Sequence, residues 1–111
     1  MTTLPALRVD RRDRLGQVRL VAVGKIDVQT APELRQRLVE VGHHDGDVVL
    51  DLVQVEQLDS FGVGVIVEAA RRARDRGFAL MVIRAAGSRV AGVLTDAGID
   101  RLAAVVDATS E

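Results

Sequence analysis

The alternation of apolar and polar residues near the start of the chain predicts two short strands. Residues 7–11 alternate throughout, and residues 18–23 alternate in their first half. Asp13, Arg14 and Gly16 lie between them as turn residues, so we predict an antiparallel hairpin. The charged positions of the first strand suit the edge of a sheet, because charges there discourage pairing with another chain.

A helix is predicted after this hairpin. Thr30 and Glu33 have the spacing of a capping box, and Pro32 removes a first-turn N–H that would have no partner in the helix. Apolar residues then recur on one helical face at Leu34, Leu38 and Val41. Gly42 is expected to end the helix.

The centre of the chain, residues 47–77, reads as strand, loop and helix. The apolar run at residues 48–50, followed by Asp51, Leu52 and Val53, is typical of a strand buried on both faces. A helical face is then predicted at Val63, Ile66, Val67, Ala70 and Ala73. Gly77 suits the left-handed conformation that ends many helices.

The remaining residues predict a strand, a short helix and a strand. Residues 78–83 form an apolar run, Ser88 can cap a helix, and residues 102–106 form the last strand. Gly98 suits a left-handed helix end, with Ile99 packing back on the last turn. The order β-β-α-β-α-β-α-β predicts an α/β fold with a mixed, mostly parallel sheet flanked by helices and joined by right-handed crossovers.

The length of 111 residues fits one domain, which we assign to residues 1–111 with flexible tails at 1–5 and 107–111. The apolar residues are mainly Val, Leu, Ile and Ala, with two Phe and no Trp or Tyr, which argues against a stacking surface for single-stranded nucleic acid. A net charge of -1 gives no overall field to attract nucleic acid or an anionic membrane.

Several kinds of site are disfavoured. The chain has no cysteine, so it has no disulfide, thiol nucleophile or Cys-based metal site. His43 and His44 are adjacent and point in different directions, unlike paired metal ligands on a helix, so we expect a solvated loop and no metal or cofactor. There is no signal-peptide pattern and no apolar run near the ~20 residues of a membrane helix, so we expect a cytoplasmic protein.

The loop before the central helix has the most informative chemistry. Asp59 or Ser60 can act as its N-cap, and Gly62 and Gly64 are poor helix formers that suggest close approach of another surface. A serine at the positive end of a helix is also well suited to carry a phosphate. The alternative is that Ser60 only caps the helix and the glycines relieve crowding, and on chemistry alone capping is the commoner role.

The motif made by residues 51–52, 58–60 and 62–64 resembles the signature of the STAS family, the sulfate transporter and anti-sigma factor antagonist domains. In the bacterial antagonists the serine directly after the aspartate is phosphorylated by a partner kinase, and it corresponds to Ser60. Phe61 departs from the small Ser or Thr that often follows, although some scaffold-type members have an aromatic residue there. The resemblance covers about residues 18–106, and relatives commonly carry one more helix after the last strand. Its absence or reduction here would leave an apolar strip for a partner or a second copy, unless the other helices close over it.

The spacing of Gly24, Asp27 and Thr30 also resembles the family's segment before its first helix, which contributes to the partner surface. Turn and cap chemistry is an equally good account of Asp27. The resemblance therefore implies partner-binding residues at Asp27, Thr30, Asp59, Ser60, Phe61, Gly62, Val63 and Gly64.

The function that the resemblance implies is that of an anti-sigma factor antagonist in transcription regulation and stress response. The unphosphorylated form would bind an anti-sigma factor, a serine kinase with a histidine-kinase-like ATPase fold, and so release a sigma factor. Phosphorylation of Ser60 would end the interaction, and the resemblance also allows a serine phosphatase partner and a homodimer. Neither direct nucleic-acid binding nor membrane insertion is expected.

The sequence allows two other classes of function. The first is a non-catalytic STAS scaffold, or an accessory subunit of a signalling assembly or membrane transporter. The second is an enzyme with Ser60 as nucleophile, but Gly-x-Ser-x-Gly is absent and His43 and His44 should lie at the opposite end of the preceding strand. We therefore expect no catalysis. The Walker pattern is missing, and nucleotide binding stays open.

Overall fold

Strands and helices alternate in the computed structural model, which describes residues 5–43 and 46–108. The strands are β1 (Leu7–Arg14), β2 (Gln17–Ile26), β3 (Asp47–Leu58), β4 (Leu80–Ala85) and β5 (Ala104–Ala108). The helices are α1 (Ala31–Val41), α2 (Ser60–Arg76) and α3 (Arg89–Asp96), and a short 3-10 turn lies at Ile99–Arg101.

The five strands lie in the sheet in the same order as in the sequence, from β1 to β5. β1 is antiparallel to β2, and the other three pairs are parallel. The predicted mixed, mostly parallel sheet is confirmed, and so is the edge position of the charged strand β1. Because the parallel strands β2 to β5 run the same way, their C-terminal ends meet at one edge of the sheet, where α2 begins.

One face of the sheet, here called the core face, holds the main hydrophobic core. On it Leu20 of β2 lies beside Leu50 of β3, which lies beside Val82 of β4. All three helices add buried side chains to the same cluster, including Leu34, Leu38, Ile66, Ala70, Ala73, Val90 and Leu94. The alternating strand residues point to the other face, here called the open face, which includes Arg19, Val21, Val49, Asp51, Met81 and Ile83.

The central helix packs on a slightly different stripe from the predicted one. Ile66, Ala70 and Ala73 are buried as expected, whereas Val63 and Val67 are only partly buried. Gly62 and Ala69 are also buried. The stripe has shifted because α2 packs its small residues closest to the sheet.

The ends of several elements differ from the sequence prediction. The hairpin strands extend to a two-residue turn at Leu15 and Gly16, both with positive φ (36° and 82°), a geometry that matches the twist of the two strands. Asp107 and Ala108, expected in a flexible tail, belong to β5 and extend its pairing with β4. Gly77 and Gly98 have the predicted left-handed conformation, and the Ser88 hydroxyl caps α3 by accepting the Ala91 N–H at 3.1 Å. Residues 1–4 and 109–111 of the expected tails, and His44, lie outside the described residues.

Candidate functional site

The site is built around the first turn of α2, and Asp59 is its cap. The Asp59 backbone is extended, and its carboxylate accepts the N–H groups of Phe61 at 2.9 Å and of Gly62 at 3.1 Å. These N–H groups have no partner inside the helix, so the carboxylate both satisfies them and complements the positive helix end. Of the two capping residues that the sequence allowed, the structure selects Asp59.

Ser60 is thereby left with no capping role. It is the first residue of α2 and is exposed to solvent. Its hydroxyl makes no hydrogen bond to any side chain or backbone group of residues 5–43 and 46–108. The serine is therefore presented to solvent by the helix without being needed to hold the helix together.

The two glycines of the motif serve different purposes. Gly62 is buried, and a Cβ atom there would lie 2.5 Å from side-chain atoms of both Ile26 and Leu58. The surface that approaches this glycine within the domain is the protein's own core. Gly64 is exposed, and a Cβ atom there would meet nothing within 4 Å.

The loop between β2 and α1 lies beside the start of α2, because the N–H of Asp59 donates to the carbonyl of Ile26 at 3.1 Å. Within this loop the Asp27 carboxylate accepts the N–H groups of Gln29 at 2.9 Å and Thr30 at 3.1 Å. The Thr30 hydroxyl accepts the Asp27 N–H at 2.9 Å and donates to the Lys25 carbonyl at 2.8 Å. Asp27 and Thr30 thus fix one tight turn.

These hydrogen bonds show that the predicted capping box at Thr30 does not form. Thr30 precedes α1 as its N-cap residue and Pro32 lies in the first turn, as expected, but the Thr30 side chain makes no cap hydrogen bond. Its hydroxyl instead bonds backward to Asp27 and Lys25. Sequence spacing alone does not distinguish the two outcomes, because Thr side chains bond readily in both directions.

Two large apolar side chains are exposed at this end of the sheet. Phe61 is 58% exposed and Val28 is 55% exposed, each within two residues of the Asp59–Ile26 hydrogen bond. Exposed aromatic side chains are enriched where proteins bind one another. The surface near Ser60 therefore combines a free hydroxyl with apolar contact area.

The histidine loop lies away from this surface. His43 precedes β3 and Ser60 follows it, so they lie at opposite ends of a 12-residue strand, as the sequence predicted. The His43 ring nitrogen Nδ1 lies 3.3 Å from an Arg76 guanidinium nitrogen. Among the described residues, no group of three His, Cys, Asp or Glu side chains is placed to bind a metal ion.

The buried ion pair of the open face is not predicted by the sequence. Asp51, the only buried charged residue in the part of the chain described, has its carboxylate 2.5 Å from the Arg19 guanidinium on the open face. Its other oxygen accepts the Val53 N–H at 3.0 Å. The available signal was a carboxylate inside an apolar strand, which needs a partner when buried.

Comparison with known families decides the classification. A family model described as "Mlab, STAS domain" matches residues 9–107. The chain belongs to the STAS domain family. Among STAS relatives, it is 31% identical to the anti-sigma-B factor antagonist of Bacillus subtilis over 74 residues, which are 67% of this chain and 68% of that protein.

Solved structures of anti-sigma factor antagonists share this fold. An anti-sigma factor antagonist from Mycobacterium paratuberculosis matches with a TM-score of 0.78 at 23% identity, covering 95% of this chain and 90% of that one. Unphosphorylated SpoIIAA, an anti-sigma factor antagonist, matches with a TM-score of 0.70 at 14% identity, covering 92% and 90%. Phosphorylated SpoIIAA from Bacillus matches with a TM-score of 0.70 at 15% identity, covering 93% of each chain. No helix among the described residues of this STAS domain is long and apolar enough to cross a membrane.

Proposed function

We propose that this STAS domain is an anti-sigma factor antagonist controlled by phosphorylation of Ser60. In its unphosphorylated state it binds an anti-sigma factor of the serine-kinase type with a histidine-kinase-like ATPase fold, and so releases a sigma factor. The kinase adds phosphate to Ser60 and ends the interaction, and a serine phosphatase restores it. The protein is then a non-catalytic regulator that acts in the cytoplasm beside its partner.

The observation that carries the proposal is the division of roles between Asp59 and Ser60. Asp59 accepts the free N–H groups of the first turn of α2, whereas Ser60 is exposed and its hydroxyl is not engaged by described residues. A kinase can reach this hydroxyl without unfolding the helix. A serine that capped the helix would have to break its bond before it could be modified.

The charge of the phosphate explains how the interaction would end. A phosphoserine adds about −1.5 to −2 charges at neutral pH. The first N–H groups of α2 are already occupied by the Asp59 carboxylate, so the phosphate competes with a like charge for the same helix end. A partner packed on this surface would have to desolvate both anions, which opposes binding.

The proposed partner surface joins the β2–α1 loop to the start of α2. Phe61 and Gly64 are exposed and Val63 is partly exposed, so these residues can contact a partner directly. Asp27, Thr30 and Asp59 contribute at its rim and fix its shape through their hydrogen bonds. Gly62 packs against Ile26 and Leu58 and so holds this surface close to the core.

The switch can act locally, without a change of fold. The unphosphorylated and phosphorylated forms of SpoIIAA match this fold with the same TM-score of 0.70, which supports a surface mechanism. The charge and steric change at the interface is then sufficient for the loss of binding.

The test is the intact mass of the protein after incubation with ATP and each serine kinase of the ATPase type from its host. We expect a gain of one phosphate that Ser60→Ala abolishes and that Ser88→Ala, a control at the serine that caps α3, retains. In binding measurements with the same kinase, Ser60→Glu should lose affinity while Ser60→Ala keeps it. If no candidate kinase adds phosphate and a partner binds Ser60→Glu as tightly as the wild type, the switch is wrong.

A second function, a constitutive STAS scaffold or accessory subunit of a transporter or signalling assembly, is favoured by the exposure of Phe61. An aromatic anchor of this kind binds a partner whether or not Ser60 carries a phosphate. One pair of variants distinguishes the two functions. Under the scaffold function Phe61→Ala abolishes partner binding and Ser60→Glu does not, whereas under the switch Ser60→Glu also abolishes it.

A further inference from the structure

A cleft of about 370 Å³ opens on the open face, where β1 and β2 meet β3. Its charged and polar lining consists of Arg12, Asp13, Arg14, Arg19, Asp51 and Gln54. The cleft lies toward the hairpin turn, whereas Ser60 follows the opposite end of β3. It is therefore distinct from the proposed phosphorylation surface.

The arginines of this cleft are placed unfavourably for the isolated domain. Arg12 of β1 and Arg19 of β2 are direct partners in the antiparallel register, so two like charges lie opposite each other on one face. Such a pair destabilises a sheet. Local arrangements that oppose stability are expected at functional sites, and a bound anion would relieve this one.

The carboxylates of the cleft are already engaged. Asp51 is paired with Arg19, and the Asp13 carboxylate accepts two hydrogen bonds from Arg11 on the opposite face of β1. Arg12 and Arg14 are exposed and make no ion pair with any residue in the described ranges 5–43 and 46–108. Two guanidinium groups, each able to hold a carboxylate with two parallel hydrogen bonds, are thus available for a partner.

We infer that this cleft binds an extended acidic segment of a partner protein, with carboxylates on alternate residues. Arg12 and Arg14 are two apart in one strand, so their side chains emerge on one face about 6.8 Å apart. An extended partner strand spaces its alternate side chains by the same distance. Arg19 lies opposite Arg12 on the floor of the cleft and is paired there with Asp51, so the unpaired positive charge is that of Arg12 and Arg14.

The spacing and the charges favour a row of carboxylates over one compact phosphate. The Asp51 carboxylate lies within the same cleft and repels a group that concentrates two or more charges at one point. Single carboxylates that each meet one arginine avoid this repulsion. The edge position of β1 also leaves room for a second chain to run beside it.

The test uses the full chain and a fluorescein-labelled peptide of alternating glutamate and threonine, with binding followed by fluorescence anisotropy. We expect binding that weakens with salt, and an Arg12→Gln/Arg14→Gln variant that binds roughly tenfold more weakly. The matched control Arg37→Gln/Arg71→Gln removes the same charge from exposed positions of α1 and α2 and should change affinity by less than about twofold. Circular dichroism verifies that both variants are folded.

Three further results decide the assignment. A peptide of the same composition with its glutamates grouped together should bind more weakly, and Ser60→Glu should bind the alternating peptide as the wild type does. If the two double variants lose affinity equally, or if the two peptides bind equally well, binding depends only on net charge and the assignment is wrong. Displacement by inorganic phosphate beyond that by chloride of equal ionic strength would overturn the assignment to a protein segment.

Discussion

Gly62 packs directly against Ile26: a Cβ atom at position 62 would come 2.5 Å from the Cγ2 atom of Ile26. It would come equally close to Leu58, at the end of the preceding strand. This contact sets how closely the start of α2 approaches the sheet. The same contact therefore also fixes the distance between the sheet and Ser60, the first residue of α2.

Gly62→Ala should destabilise the domain. The added methyl overpacks a site formed by two buried side chains, at a cost of about 1–3 kcal/mol, which exceeds the gain in helix propensity of at most about 1 kcal/mol. Gly64→Ala is the matched control in the same helix, and it should raise the free energy of unfolding by about 0.5–1 kcal/mol because a Cβ atom there meets nothing. Urea denaturation measures both, and a stabilised Gly62→Ala variant would contradict the contact.

Asp59→Ala and Ser60→Ala should differ sharply in stability. Loss of the Asp59 carboxylate leaves two N–H groups without their partner, so we expect a loss of about 1 kcal/mol in the free energy of unfolding. Ser60→Ala should change it by less than about 0.5 kcal/mol, because the hydroxyl is not needed for capping. The comparison is made by thermal or urea unfolding, with Asp59→Asn expected to retain most of the cap. A larger loss for Ser60→Ala would reverse the assignment of the cap.

The pairing of Arg19 with Asp51 should be visible in a pair of arginine substitutions. Arg19→Met leaves the buried Asp51 carboxylate without its ion partner, and we expect a loss of about 1–3 kcal/mol. Arg12→Met removes the opposing like charge and should be neutral or slightly stabilising. Urea midpoints measured side by side provide the test, which fails if the two substitutions have equal effects.

The contact between α1 and α2 should depend on pH through Glu68. Hydrogen bonds from Arg35 on α1, and more weakly the charge of Arg72 on α2, lower the pKa of Glu68 below its usual value. Ionised Glu68 thus stabilises the folded state above the ordinary carboxyl range near about pH 4.3, and this stabilisation is lost as the pH falls through the lowered pKa.

The effect should be small, about 0.2–1 kcal/mol, because the three side chains are solvated and screened by salt. Glu68→Gln should remove this part of the acid-side slope of stability, whereas Glu56→Gln, at an exposed carboxylate of β3, should leave it unchanged. Urea midpoints between neutral and acid pH, at low and high salt, measure the difference. An identical slope for wild type and Glu68→Gln would refute it.

Leu15→Asn should stabilise the hairpin. Leu15 adopts a positive φ of 36° and its side chain is fully exposed, so it bears a backbone cost without gaining burial. Asparagine followed by glycine is a preferred pair for this two-residue turn, and we expect a gain of about 0.5–1 kcal/mol. Leu15→Ala is the control that removes the side chain without favouring the turn, and it should gain little.

The helix caps show which helix ends can be predicted from the sequence and which cannot. Gly77 and Ser88 were predicted correctly because each stands at the end of a clear apolar stripe. Between Asp59 and Ser60 the sequence allows both, since either side chain makes a good N-cap. The choice depends on the backbone, which is extended at Asp59 and helical from Ser60 onward.

The pairing of Asp51 with Arg19 is a contact that local sequence patterns cannot predict. The two residues are 32 apart in sequence and meet only through the register of β2 on β3. Periodicity predicts that each segment is a strand, but it does not fix which residues lie side by side. The burial of Gly62 in α2 is not predicted for the same reason, because its neighbour Ile26 lies far away in the sequence, at the end of β2.

The sequential order of the strands has a consequence for how the protein is made. Each strand from β2 onward pairs with the strand synthesised just before it, so no place in the sheet is held open for a distant segment. As the chain leaves the ribosome, the sheet can grow from one side by adding each new strand to the most recent edge. Each parallel pairing closes a crossover of about 20 residues that contains a helix, and each unpaired edge is exposed only until the next strand arrives.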